Sequence, residues 1–183
     1  AEGTYFENLV VTKKITLASL YLIDQDTSHI SKTIIDGGTP SRPDSASVIL
    51  VLPGTDTTTV IKGFTIQNGK GTAITLGGTY PYIGGGGIEI IAGGATISTN
   101  MIKNNSSQNP AGYSDGGGIT VHPNPETNIA PIPWIIENNT ITGNTVTSRD
   151  GSDGGGLTLT GRGRVVNNVI KNNTSSGQAG GVA

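Results

Sequence analysis

The sequence predicts an all-β solenoid, a parallel β-helix of about five three-strand turns with partial turns at its ends and no substantial helix. Three observations predict it. A four-residue phrase closes the third strip of five successive turns: Ile35-Asp36-Gly37-Gly38, Ile66-Gln67-Asn68-Gly69, Ile102-Lys103-Asn104-Asn105, Ile141-Thr142-Gly143-Asn144 and Ile170-Lys171-Asn172-Asn173. Its last two positions hold only Gly and Asn, the residues that enter positive φ at least cost, so five strands end in one kind of turn. Upstream of each phrase the apolar residues fall into short alternating strips with strand character. The spacing between phrases varies while the phrase does not, as expected of a coil with fixed walls and elastic loops.

The elements follow in order. The first turn reads Leu9 to Val11, Ile15 to Leu17 and Thr33 to Ile35, and the second Val48 to Leu52, Val60-Ile61 and Phe64 to Ile66. The third is the clearest, with Ile88 to Ile91, Ala95 to Ile97 and Met101-Ile102. The fourth has Ile119 to Val121, Trp134 to Ile136 and Thr140-Ile141; the fifth has Leu157 to Leu159, Arg164 to Val166 and Val169-Ile170. Each strip is too short to bury its apolar face alone, so turns stack at about 4.8 Å and the phrase isoleucines form one inward column. No stretch shows capped helical periodicity.

Composition agrees. Only 33% of the 183 residues are hydrophobic and 4% aromatic, while Gly supplies 29, which suits many thin apolar strips better than one aromatic-packed core. The charge of -2, without a Lys/Arg run, gives no footprint for nucleic acid. No apolar stretch approaches the roughly 20 residues of a membrane span, so membrane insertion is not expected. Without cysteine there are no disulfides, thiolate metal sites or cysteine nucleophiles.

The run from Gly3-Thr4-Tyr5-Phe6-Glu7-Asn8-Leu9 through Thr33-Ile34-Ile35-Asp36-Gly37-Gly38 to Gly63-Phe64-Thr65-Ile66-Gln67-Asn68-Gly69 resembles the opening turns of right-handed parallel β-helix repeat proteins of the pectin-lyase-like superfamily. The later Gly-Gly-Gly-Ile and Asn-Asn phrases resemble its later turns. The resemblance implies right-handed coiling and an extracellular or cell-surface microbial setting. It leaves activity open, because the superfamily holds lyases, hydrolases, adhesins and modules without chemistry. Such proteins usually begin with a short amphipathic helix and a strand, which do not precede Gly3, and Gln178 to Ala183 reads like the start of a further turn. Residues 1–183 are therefore read as one β-helix domain, either a segment of a longer protein or a unit that stacks end to end.

Insertions at 36–47, 67–87, 103–118, 142–156 and 171–181 all leave from the same corner. They gather Tyr80, Tyr82 and Tyr113 with Asp115, Arg149, Asp150 and Asp153 among Asn, Ser and Thr, a mixture suited to stacking on sugar rings and bonding hydroxyls. Simple solvation of these loops is the competing reading. Asp115 and Asp153 occupy equivalent places in Ser-Asp-Gly-Gly-Gly segments and are expected about 5 Å apart. Such a pair could bind calcium or serve a retaining glycosidase, with Asp150 and Arg149 nearby; equally, Asp before a glycine run is a turn former. Nothing acidic stands at Gly84 or Ala179 in the flanking repeats.

His29 and His122 read as surface residues, and Trp134 as packing beneath the excursion from Pro123 to Pro133. The Asn-x-Ser/Thr triplets at Asn104, Asn138 and Asn172 arise wherever an Asn turn precedes Ser or Thr, and Gly161-Arg162-Gly163-Arg164 is a tight turn and not a phosphate loop. The expected role is a non-catalytic extracellular spacer or adhesive scaffold that binds polysaccharide or a cell-surface partner through the variable corner. A polysaccharide lyase or hydrolase fragment and an end-to-end filament subunit are the alternatives. No cofactor is expected beyond calcium at Asp115 and Asp153.

Overall fold

A computed structural model describes residues 1–76, 80–123 and 132–183, the side chains of Leu76, Tyr80 and Pro81 excepted. The chain is a parallel β-helix. One wall stacks six strands in register, Gly3–Phe6, Thr33–Asp36, Thr65–Gln67, Met101–Lys103, Thr140–Thr142 and Val169–Lys171. A second stacks Leu9–Val11, Ile49–Val51, Ile88–Ile91, Ile119–His122 and Leu157–Leu159. A third stacks Thr16–Ala18, Val60–Lys62, Thr96–Ser98, Trp134–Glu137 and Gly163–Val166. The chain runs from second wall to third to first in every turn. The predicted column is present, since Ile35 pairs with Ile66, Ile66 with Ile102, Ile102 with Ile141 and Ile141 with Ile170. Two helices, Tyr21–Asp24 and Ser28–Lys32, fill the connection between the third and first walls in the first turn.

The phrase has two parts with different physics. Its first Gly/Asn position takes positive φ at Asn68, Asn104, Gly143 and Asn172, as expected. The second is a buried hydrogen-bond ladder. Asn144 Oδ1 accepts the Asn105 amide N–H at 3.0 Å and its Nδ2 donates to Ile102 O at 3.0 Å, while Asn105 and Asn173 make the corresponding bonds one turn either side. A second ladder, at the corner between the third and first walls, runs through Asn100, Asn139 and Asn168. There Thr99, Asn138 and Asn167 take the positive φ. Corners that would otherwise bury unpaired backbone groups are thereby satisfied.

The insertions are not merely solvated loops. Ser106–Asn109, Thr145–Ser148 and Thr174–Ser175 stack into a three-stranded sheet leaving the coil. Tyr80–Gly84, Tyr113–Ser114 and Gly151–Ser152 stack in parallel on the way back. The antiparallel strand Gly71–Leu76 and the short Ser45–Ala46 complete that five-stranded sheet. Together these form a lobe. Ser107 and Ser114 hydroxyls meet at 2.7 Å inside it, one donating to the other and the other to Ile83 O, which both reach. Where the lobe rejoins the second wall the glycine runs lie one above another, and a Cβ at Gly118 would stand 2.5 Å from Gly156 O. Close stacking, as well as turning, requires glycine there.

Candidate functional site

The second wall's outward positions are covered by the root of the lobe. Glu89, Thr120 and Thr158 share one column of that wall, and Gly84, Asp115 and Asp153 follow the paired residues Ile83, Ser114 and Ser152 of the lobe. Gly85 N donates to Thr120 Oγ1 and Gly116 N to Thr158 Oγ1, so threonines stitch lobe to wall. In the third turn the column carries Glu89 instead. Its side chain enters the space left at Gly84, where a Cβ would lie 2.5 Å from Glu89 Oε2 and 2.8 Å from His122 Cε1.

His122 lies between two carboxylates. Nδ1 is 2.7 Å from Glu89 Oε1 and Nε2 is 2.9 Å from Asp115 Oδ2. Exposure is 0% for Glu89, 3% for His122 and 6% for Asp115, which corrects the surface placement expected of His122. The Tyr82 ring sets its edge against His122, 5.8 Å between centroids, and stacks on Tyr113 at 5.3 Å. Glu89 Oε2 has no hydrogen-bond partner among the described residues.

Charge follows from these contacts. Burial opposes a charge on His122, but the Glu89 carboxylate and the bonds to Asp115 and Glu89 outweigh it and raise the imidazole well above its usual range. Burial pushes Glu89 up, against the pull of His122. Asp153 is raised by burial, then by the charge of Asp115 and a hydrogen bond to it. Asp115 and Asp153 are thus brought near enough for the charge of one to bear on the other.

Arg149 and Asp150 do not join that pair. Arg149 Nε and an η nitrogen bond Asp150 Oδ1 and Oδ2 at 2.6 and 2.7 Å on the exposed side of the lobe tip, with the strand Gly151–Ser152 between them and Asp153. A cavity of about 370 Å³ opens beside them, lined by Gln108, Asn109, Pro110, Thr147, Ser148 and Arg149. Among the described residues no three His, Cys, Asp or Glu side chains are arranged to hold a metal ion. The Tyr80 side chain and residues 124–131 of the proline-rich excursion lie outside the described residues. His29 is held between Glu2 and Asp24 at the other end of the coil, and Trp134 is packed at 5% exposure with Nε1 donating to Thr160 O.

Sequence reasoning missed Glu89 and His122. The signal was a charged residue in Ile88-Glu89-Ile90, at the place taken by Thr120 and Thr158 in the next turns, beside a repeat whose acidic position is Gly84. Among known proteins, the family described as "Protein of unknown function (DUF1565)" matches over residues 12–183. No curated protein and no solved structure matches the chain.

Proposed function

The chain belongs to the DUF1565 family, and from that premise we propose that it is a non-catalytic, extracellular or cell-surface module of the pectin-lyase-like type, a rigid spacer whose lobe binds polysaccharide. The observation that carries this reading is the lobe itself. In-register stacking of the outgoing strands repeats a polar face at the turn spacing and ends in the cavity lined by Gln108, Asn109, Pro110, Thr147, Ser148 and Arg149. Amide, hydroxyl and guanidinium groups on a fixed backbone suit the hydroxyls of a sugar chain, and repetition lets weak contacts add. Arg149 is neutralised by its bidentate Asp150 partner, which favours uncharged over acidic sugars.

Binding to a panel of neutral and acidic polysaccharides, with Arg149→Ala and Gln108→Ala variants, tests the reading. Neutral glycans should bind, and each variant should weaken them by about fivefold or more. Absence of binding to every glycan leaves only the spacer. One feature favours an enzyme: Asp153 is partly exposed, and burial and then the charge of Asp115 raise its carboxyl, the direction a general acid needs. Release of reducing or unsaturated ends from the same panel, with or without Ca²⁺ and abolished in Asp153→Asn, would replace the scaffold with a hydrolase or lyase.

A further inference from the structure

We propose that the lobe is clasped to the second wall by a proton trapped in the Glu89–His122–Asp115 cluster, so that the lobe is closed at neutral and acidic pH and loosens in alkali. The contacts fix the number of protons in the cluster. Two ring nitrogens face two carboxyl oxygens at 2.7 and 2.9 Å, and each contact needs a hydrogen. Neutral imidazole supplies one. The second must therefore reside in the cluster, either on the ring or on a carboxyl, and both arrangements leave the trio with the same net charge. Removing that proton leaves two lone pairs opposed in a site nine-tenths or more buried, where water cannot relieve them.

Four segments meet at this point. Glu89 comes from the wall strand of the third turn, His122 from the wall strand of the fourth, Asp115 from the lobe root between them and Asp153 from the lobe root above. Tyr82 adds its ring from the returning strand of the lobe. Among the described residues every ionisable group facing His122 in this cluster is an acid, so none of them is a cation that can replace the lost proton. Opening the lobe exposes the histidine, whose affinity for the proton then drops to that of a free imidazole. Closure and protonation are thus linked. The inference stands whether or not the groove at the lobe tip binds sugar.

Amide hydrogen exchange reads the clasp directly. Gly85 and Gly116 amides bridge lobe to wall, whereas Asn105 and Asn144 amides belong to the coil. Between pH 7 and 9, protection factors at Gly85 and Gly116 should fall about tenfold per pH unit, the signature of one linked proton, while those of the ladder amides stay level. His122→Gln should give a flat profile, and His29→Asn should leave the slope intact. In the unmodified protein the His122 ring shifts should show no titration step between pH 5.5 and 8, a readout that needs no variant to fold. A flat profile in the unmodified protein, a slope that survives His122→Gln, or a His122 ring that titrates near 6.5 would each overturn the clasp.

Discussion

Replacing Asn144 and Asn172 separately by glycine distinguishes the two jobs that asparagine does in the repeated phrase. Glycine adopts either backbone conformation, so a purely conformational role predicts little loss at either site. Asn144 is 0% exposed and its amide makes four bonds: its Oδ1 accepts from Asn105 N and Nδ2, and its Nδ2 donates to Ile102 O and Asn173 Oδ1. At about 1 kcal/mol net per bond, Asn144→Gly should cost about 4 kcal/mol, with the buried Asn105 N–H left without its partner. Asn172 is exposed at φ 55°, so Asn172→Gly should stay within about 0.5 kcal/mol. Urea unfolding followed by circular dichroism measures both, provided that the m-value is unchanged. Equal effects, or a loss at Asn144 below about 1 kcal/mol, would refute the ladder as a source of stability.

Two further outcomes are expected. A Cβ at Gly163 would overlap the Trp134 ring at Cδ2, Cε2 and Cε3, so Gly163→Ala should destabilise by about 1–3 kcal/mol and shift the fluorescence of the single tryptophan. Asp56, held down to about 2 by Lys14 first and then by Thr58, lends stability that is present above its ordinary 3.8 and lost as pH falls through 2. In Lys14→Met its carboxyl carbon should titrate closer to 3.8, while an unchanged midpoint would assign the shift to Thr58 alone.

The walls were legible because strand alternation and a stacked turn are local properties. Ile88 to Ile91 and Leu157 to Leu159 are strands with the expected bounds. The second ladder was less so, because Ile97-Ser98-Thr99-Asn100 and Val165-Val166-Asn167-Asn168 blur the phrase that Ile136-Glu137-Asn138-Asn139 keeps. The lobe could not be read at all from periodicity. Ser106 to Asn109 and Thr145 to Ser148 are polar and resemble solvated loop, and they become strands only because each finds the other in register. Covering the second wall is a tertiary event, so His122 reads as a surface residue while it is buried, and nothing local marks Glu89 as its partner. The acid pair at Asp115 and Asp153 was visible because it repeats, and its partners were not because they do not.

The ladders also bear on how the coil carries load. Pulled apart by its two ends, a stack of this kind peels one turn at a time, because each turn is bonded only to its neighbours. Freeing the chain from Ile102 to Ile141, one whole turn, pays out on the order of 100 Å of slack. The side-chain amides at both corners must break together with the strand bonds of that turn, so each step is cooperative and the turns not yet peeled stay intact. A tether built this way yields in steps and keeps its remaining length stiff.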